Sequence, residues 1–200
     1  MSEPKAQSMR PIGRPRDIAR ELALLQATAE VLAEVGYDRL TMDAVASRAK
    51  SSKATIYRRW PDKTALVVDT IRHIEDQVTR WSDTGSLRGD LLAVLGDVAG
   101  AVRGDLGRIV SGMVSAMPHD AGLAAAVRDA VITRFRSGCQ TLLQRAQQRA
   151  EVSIEVDMRL AFEVPMAMLL FRFLLADGPV DDEYVRFVVD SVVIPLLTSS

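Results

Sequence analysis

The side chains with the most specific chemistry in this sequence lie together in residues 53–60. This run contains three cations, a threonine hydroxyl, a tyrosine phenol and a small alanine. Such groups bond phosphate oxygens, donate hydrogen bonds to guanine edges or touch the methyl group of thymine. If the run is helical, Ile56 and Trp60 lie four residues apart and can face a core, which leaves the polar side chains on the other faces. The pattern favours contact with duplex DNA; the alternative is a short, solvated basic helix.

Such a helix needs other helices to hold it against DNA, and the flanking sequence predicts them. Asp17 suits the start of an amphipathic first helix and Gly36 suits its end. Its apolar stripe consists of Ile18, Leu22, Leu25, Ala29 and Leu32. Thr41 is a good N-cap for a short second helix, and Ser52 can cap the third. Two short helices joined by a tight turn form a helix-turn-helix, whose second helix lies in the major groove.

The rest of the chain also has helical periodicity, so we expect an all-α fold of about nine helices. A long fourth helix is predicted over residues 63–82, after Pro61 and the potential cap Asp62. The remaining helices are predicted near residues 87–102, 105–117, 121–150, 155–176 and 181–197. We expect a disordered basic arm (1–16), a three-helix DNA-binding domain (17–62), a connecting helix (63–82) and a second helical domain (83–200).

Charge is distributed unevenly along the chain. Residues 1–63 carry 12 Lys or Arg and 8 Asp or Glu, a net charge of +4, whereas residues 64–200 carry 13 and 18, a net charge of −5. A basic N-terminal part on an acidic remainder is the asymmetry that a phosphate-binding domain would have, although chance also produces such modest differences.

Several classes of protein are disfavoured. Cys139 is the single cysteine, which excludes an internal disulfide framework. The N-terminus lacks the apolar core of a signal peptide, and no apolar stretch approaches the roughly 20 residues that span a bilayer, so we expect a cytoplasmic protein without a membrane partner. His73 and His119 are the only histidines, and no nucleophile elbow, phosphate loop or metal-ligand spacing is present. We expect no enzyme, no metal and no cofactor.

Residues 41–66 resemble the helix-turn-helix of TetR-type repressors. The matching positions are Thr41, Val45, Ala46, Ala49, Ser52, Thr55, Ile56, Tyr57, Trp60, Lys63 and Leu66. The resemblance covers roughly residues 18–68 and is architectural beyond them. It implies a DNA-binding regulator, most simply a repressor, that binds a palindromic operator as a homodimer and responds to a small-molecule inducer.

The resemblance also assigns roles to individual residues. Those expected to hold phosphates are Thr41, Thr55, Tyr57, Arg59 and Lys63. Lys53, Ala54 and Arg58 are the expected base readers, with Tyr57 able to do both. Backbone N–H groups at the start of the fourth helix would add to the phosphate site at Lys63, whose other interpretation is an ordinary surface lysine.

The sequence departs from the family pattern in the turn. Lys50 stands where glycine is usual and Ser51 where a buried valine is usual. If Lys50 adopts a positive φ, the strain costs about 1 kcal/mol relative to glycine. Arg59 replaces the usual histidine or tyrosine and adds a permanent charge.

The N-terminal arm contains Arg14 and Arg16 beside proline and glycine. Arginines in such arms can enter an adjacent minor groove, particularly at narrow A·T tracts. The alternative is that this arm is only a solubilising tail.

The last two predicted helices are apolar on nearly every face, and a helix of that kind must be covered on every face. A second copy of the chain can cover the outer side, and the resemblance implies the same four-helix interface. The expected interface residues are Met168, Phe171, Leu175, Tyr184, Phe187, Val188, Ser191 and Val192. A pair of helices internal to a monomer is the alternative.

A ligand pocket is expected in the second domain. Thioethers and aromatic rings form adaptable apolar cavities. The candidate lining residues are Met113, Met117, Phe135, Cys139, Leu142, Phe162 and Met166, each of which also suits ordinary core packing. A regulator without a ligand, and a helical interaction module that does not bind DNA, are the alternatives. The sequence identifies neither the inducer nor the operator.

Overall fold

The computed structural model describes residues 15–153, 157–176 and 178–198, and every regular element within these ranges is helical. The first four helices are α1 (Pro15–Arg39), α2 (Met42–Arg48), α3 (Lys53–Tyr57) and α4 (Lys63–Val78). We call them the head. The all-α fold is confirmed, with nine helices in the described part of the chain.

The remaining helices form what we call the body. They are α5 (Leu87–Val102), α6 (Asp105–Ala116), α7 (Ala121–Val127 with Thr133–Gln148), α8 (Met158–Leu174) and α9 (Asp182–Val188 with Ile194–Thr198). The two parts of α7 are joined by a π-helical turn at Arg128–Ile132, and those of α9 by another at Val189–Val193. Both are therefore continuous helices with a wider turn inside.

Capping side chains set the start of three head helices, as the sequence predicts. Thr41 accepts a hydrogen bond from the backbone N–H of Ala44 at 3.2 Å and begins α2. Ser52 begins α3 and Asp62 begins α4 in the same way. Each cap satisfies one of the amides that lack a partner at a helix N-terminus.

Several helix ends differ from the predicted ones. Gly36 has a positive φ of 75° and interrupts α1, as expected, but a short helical stretch continues to Arg39. The third helix ends at Tyr57, earlier than predicted. Pro61 disfavours helical backbone at the residue before it, so the chain leaves the helix over residues 58–60. The fourth helix ends at Val78 instead of residue 82.

The apolar side chains form two clusters, and one of them crosses between the head and the body. The head cluster combines residues of α1 to α4 with Ile109, Met113 and Ala116 of α6 and with Leu123 of α7. The other cluster lies entirely in the body. Helix α6 therefore follows a body helix in the chain, but several of its apolar side chains pack in the head cluster.

Helix α6 lies in van der Waals contact with the end of α1. A Cβ atom placed on Gly112 would lie 3.5 Å from the Cα atom of Gly36. A polar contact lies nearby, since the hydroxyl of Tyr37 donates to Asp120 at 3.1 Å and is 2.8 Å from the Thr64 hydroxyl. Hydrogen bonds from the backbone N–H of Leu123 and from Tyr37 hold the pKa of Asp120 below its usual range. The head thus meets the start of α7 as well as α6.

The described residues meet neither the requirements of a membrane-spanning helix nor those of a metal site. Within the described ranges, no helix has the length and apolar character needed to cross a bilayer. Among the same residues, no three His, Cys, Asp or Glu side chains gather in a way that could hold a metal ion.

Candidate nucleic-acid interface

Helix α3 and the turn that follows it bury two large apolar residues. Ile56 is 0% exposed and Trp60 is 2% exposed, whereas Tyr57 is 51% exposed. The indole N–H of Trp60 donates to Asp69 on α4 at 2.9 Å, which fixes the ring against that helix. The opposite side of α3 therefore faces away from the head cluster and is free to meet a partner.

The start of α3 is held by hydroxyl groups. The Ser52 hydroxyl accepts from the backbone N–H of Thr55 at 3.2 Å and lies 2.9 Å from the Thr55 hydroxyl. Thr55 is half-buried in this arrangement, while Ala54 is exposed beside it. Thr41 is also exposed, and its capping bond uses its oxygen as an acceptor, which leaves the O–H free to donate.

The turn between α2 and α3 is tight and left-handed. Lys50 has a φ of 49°, the positive φ for which we expect backbone strain relative to glycine. The backbone N–H of Ser51 donates to the Ala46 carbonyl at 2.9 Å, and that of Lys50 donates to Ser47 at 3.2 Å. These are the two bonds of a Schellman motif, so the turn keeps the geometry that glycine usually provides.

Each cation at the outer side of α3 has an acidic partner in the head. Lys53 lies 2.6 Å from Asp43, and Arg58 lies 4.0 Å from Asp17. The Arg59 guanidinium pairs with Glu21 and lies over the Trp60 ring.

These pairs are exposed, since the side chains of Lys53, Arg58 and Arg59 are 52%, 68% and 55% accessible. Exposed pairs of this kind contribute about 0–1 kcal/mol. The cations can therefore exchange their carboxylate partners for phosphates or base edges at little cost.

Lys63 has a different environment from the other candidates. Its ammonium donates to the Tyr37 carbonyl at 3.1 Å and lies 4.1 Å from the centre of the Tyr37 ring. The side chain is half-buried. In the free protein it therefore connects α4 to the end of α1.

The arm lies largely outside the described residues. Arg14 is outside them, and Arg16 is described only as part of the first turn of α1.

The seven residues expected to line a pocket do not lie around one cavity. Phe135 and Met166 line an apolar cavity of about 140 Å³ in the body. Cys139, Leu142 and Phe162 are buried in the same body cluster but do not line that cavity. Met113 and Met117 pack in the head cluster, because α6 lies against α1, so these two need to be removed from the set. Burial raises the pKa of Cys139 to about 12, which makes its thiol unreactive.

The sequence does not single out Glu75, which lines this cavity. A signal was present, however. Glu75 lies four residues after Ile71 and three before Val78 on α4, a spacing that places a carboxylate on an apolar helix face.

The residues expected at a dimer interface have different exposures. Phe171, Leu175 and Phe187 are 59%, 78% and 50% exposed, and Ser191 is also exposed. Met168, Tyr184 and Val192 are half-buried. The Tyr184 ring stacks on Phe187, and its hydroxyl donates to the Met168 carbonyl at 3.3 Å.

Val188 differs from the other residues of this set, and Leu196, outside the set, is exposed. Val188 is 0% exposed because it packs into the core of its own body, whereas Leu196 is 42% exposed. The π-helical turn at Val189–Val193 adds a residue to one turn of α9. Positions after it are rotated relative to a regular helix.

Comparison with known proteins gives matches to both parts of the chain. A family described as "Bacterial regulatory proteins, tetR family" matches residues 24–70. A second, described as "Tetracyclin repressor-like, C-terminal domain", matches residues 81–192. Together they span the head and most of the body.

Individual relatives match along most of their length. A DNA-binding transcriptional repressor TetR from Mycobacteroides abscessus is 36% identical over 183 residues, which are 91% of this chain and 96% of that protein. The uncharacterized HTH-type transcriptional regulator YdeS of Bacillus subtilis is 30% identical over 87% of this chain and 88% of its own. The crystal structure of the TetR family transcription regulator SCO0332 has a TM-score of 0.72 and 32% identity, over 86% of this chain and 95% of that one.

Proposed function

This chain belongs to the TetR family of DNA-binding transcriptional regulators, and we propose that it is a repressor that binds a palindromic operator as a homodimer and is released by a small-molecule inducer. Members of this family are transcription factors and not enzymes. Because the proposed target is chromosomal DNA, the proposed location is the cytoplasm.

The observation that carries the proposal is the orientation of α3. Ile56 of α3 and Trp60 just after it are buried, and the polar side of the helix faces outward. We assign base contacts to Lys53, Ala54 and Arg58, and both base and phosphate contacts to Tyr57. Phosphate contacts are assigned to Thr41, Thr55 and Arg59, and Lys63 joins them only by leaving the Tyr37 carbonyl. The minor-groove role of Arg14 and Arg16 remains part of the proposal.

Exposed apolar side chains on α8 and α9 support the homodimer. Phe171, Leu175, Phe187 and Leu196 are exposed by 42% or more, although each is large and apolar. A second copy related by a twofold axis would cover them with the same surface. The same axis would direct the two α3 helices to successive turns of the duplex, about 34 Å apart, and a palindromic operator follows from that symmetry.

The position of the apolar cavity supports the inducer. Its walls include Ile71 and Val78 of α4 and Leu106 and Val110 of α6. Helix α4 is the last helix of the head and follows the helix-turn-helix directly, and α6 packs into the head cluster. A ligand there touches both connections to the DNA-binding part, and it releases DNA if it binds the DNA-free arrangement more tightly.

Selection of bound sequences from a random DNA pool tests the proposal. We expect an enriched palindrome with half-sites about 10 base pairs apart from centre to centre. Enrichment of a single half-site would contradict the dimer, and no enrichment would contradict sequence-specific binding.

Substitution in α3 then tests which surface binds. Arg58→Ala should weaken binding to the selected operator about tenfold or more, because a good contact to a base edge is worth about 1–3 kcal/mol. Arg159→Ala is the matched control, since Arg159 is also an exposed arginine paired with an aspartate, but lies in the body. Equal effects of the two substitutions would contradict the assignment of α3.

A further inference from the structure

One acidic side chain interrupts the apolar wall of the body cavity. The cavity, of about 140 Å³, lies among α4, α5, α6 and α8, with part of α7, and is lined largely by side chains such as Ile71, Val102, Val110, Leu170 and Phe173. An apolar cavity of about 150 Å³ is large enough to bind benzene. The space therefore suits one ring or a short branched chain.

The acidic side chain, Glu75, is largely buried, and one of its carboxylate oxygens has no hydrogen-bond partner. Its side chain is 13% exposed. Its Oε2 atom is inaccessible to solvent and has no hydrogen-bond partner. The nearest cation is Arg134 of α7, whose Nε lies 3.9 Å from Oε2, too far for a hydrogen bond. A carboxylate oxygen in this position needs a donor, and no side chain donates to it; the Nε of Arg72, one turn earlier on α4, is also buried without a hydrogen-bond partner.

Glu75 also lines a second, more polar cleft. Glu75 and Thr79 are shared between the apolar cavity and this cleft of about 350 Å³. Asp76, Arg134 and Trp81 form other parts of its wall. The carboxyl group therefore lies at the boundary between an apolar space and a polar one, where it can meet the polar end of a molecule whose apolar end is inside.

We propose that the ligand of this site is a compact apolar amine, whose apolar part fills the cavity and whose protonated nitrogen donates a hydrogen bond to Oε2 of Glu75. Its role as an inducer rests on the proposed function. An ammonium group supplies both the missing donor and a positive charge. An anionic ligand lacks the donor and is repelled by the carboxylate, and a hydrocarbon leaves Oε2 unsatisfied.

The charges around Glu75 make binding depend on pH. Burial raises the pKa of Glu75 to about 7, with Asp76 acting in the same direction and Arg134 and Arg72 opposing it. The lining side chains from α5, α6 and α8 are apolar. A cationic ligand needs the ionised carboxylate, and alkyl amines of the lysine type stay protonated to about pH 10. Binding should therefore be about tenfold stronger at pH 8 than at pH 6.

Isothermal titration of the full chain with three ligands of similar shape tests the proposal. The probes are benzylamine, benzyl alcohol and toluene. We expect benzylamine to bind at least tenfold more tightly than the other two at pH 8. Glu75→Gln should abolish this preference, whereas Glu163→Gln, at an exposed glutamate of α8, should leave it unchanged.

A second variant places the binding in the cavity. Val102→Phe adds a ring to the cavity wall and should weaken binding of benzylamine at least tenfold, with folding checked by circular dichroism. The proposal is overturned if none of the probes binds, if the three bind equally, if Glu75→Gln keeps the preference, or if folded Val102→Phe binds benzylamine as before.

Operator binding is measured separately from ligand binding. If benzylamine binds as expected but no operator can be selected, the proposed function fails and the assignment of the site stands. If an operator is selected but the amine preference is absent, the assignment of the ligand fails and the regulator stands.

Discussion

The cations of the proposed DNA-binding surface already have acidic partners in the free protein. Lys53, Arg58 and Arg59 each have an acidic partner, and two of these partners, Asp17 and Glu21, lie on α1. DNA must replace these carboxylates before it gains the full attraction of the cations. If this surface binds DNA as proposed, we expect the acidic partners to lower the affinity for all duplexes alike, so that sequence-specific contacts gain in relative weight.

Asp43→Asn should increase operator affinity. The substitution releases Lys53 from its 2.6 Å ion pair and removes a negative charge from the proposed DNA-binding surface. Because exposed pairs contribute up to about 1 kcal/mol, the expected gain is at most about fivefold. Fluorescence anisotropy with labelled operator at fixed salt measures it. Asp157→Asn, which breaks the pair with Arg159 in the body, is the control; a gain of the same size there would contradict the explanation.

Glu75→Gln should stabilise the protein at high pH and change little at low pH. The pKa of Glu75 in the folded protein is about 7, above its usual value. A carboxyl group with a raised pKa contributes stability below its unfolded pKa, and that contribution is lost as the pH rises through 7. Glutamine cannot ionise, so the variant should gain about 2–3 kcal/mol near pH 8 and almost nothing near pH 4.

Urea unfolding at the two pH values measures this difference. Glu163→Gln serves as the control, because Glu163 is exposed and lies elsewhere on the surface. An equal gain at both pH values would show that packing, and not ionisation, is responsible.

For single residues, the sequence predicts which side chains are buried better than it predicts which charged residues pair. The spacing of Ile56 and Trp60 is enough to predict which side of α3 is buried. Nothing in the local pattern predicts that Arg59 meets Glu21, because the two residues come together only when α1 and α3 pack. The isolation of Glu75 likewise depends on apolar side chains from four other helices.

At the scale of the helix, two helices end in the same left-handed conformation without glycine. Lys50 follows α2 with a φ of 49°, and Ala150 follows α7 with a φ of 58°. In both, the next residue donates to a carbonyl five residues earlier, at 2.9 Å. The hydrogen bonds of the Schellman motif therefore form at the cost of strain in a residue that carries a Cβ atom.

Lys50→Gly and Ala150→Gly should each increase the free energy of unfolding by about 1 kcal/mol, since glycine adopts a positive φ without this strain. For a chain of this size the melting temperature should rise by about 2–4 °C. Differential scanning fluorimetry is sufficient to detect it. Lys50→Ala and Ala150→Ser keep the Cβ atom, so a similar rise in either control would argue against backbone strain.

Helix bounds were predictable where the ends carry capping residues and less so elsewhere. Thr41, Ser52 and Asp62 mark their helices in the sequence and cap them in the structure. The π-helical turns in α7 and α9 were not predicted, because they depend on how each helix packs along its length and have no distinct local composition.

At the scale of the whole molecule, the proposed dimer depends on a few exposed apolar side chains. Leu175→Glu together with Phe187→Glu should give a monomer, because the charges would be buried in the interface without partners. Operator affinity should fall by more than tenfold, since a single head binds one half-site. Sedimentation and anisotropy measure the two effects.

Val114→Glu provides the comparison for the dimer variant. Val114 is an apolar residue of α6 that is 43% exposed, and it lies outside the proposed interface. This variant should keep the oligomeric state and the affinity of the parent chain. A dimer that survives the double substitution would place the interface on another surface.

The arrangement of the two parts was less predictable than their existence. The sequence separates a basic N-terminal segment, residues 1–63, from an acidic remainder. It does not indicate that Met113 and Met117 leave the body cluster for the head, because no periodicity identifies the helix that an apolar residue will meet. That packing brings together residues far apart in the chain, such as Gly112 and Gly36.

The shared cluster of α1 and α6 implies that the protein melts as one cooperative unit. Ile109, Met113 and Ala116 of α6 complete the apolar interior of the head, although α6 follows α5 of the body in the chain. Calorimetry should record a single transition, with a van't Hoff enthalpy equal to the calorimetric one per cooperative unit. A fragment of residues 15–82 should be largely unfolded, because removal of α6 leaves its apolar surface in water. Two separate transitions, or a fragment with a sharp melting curve, would mean that the two parts fold independently despite their common interior.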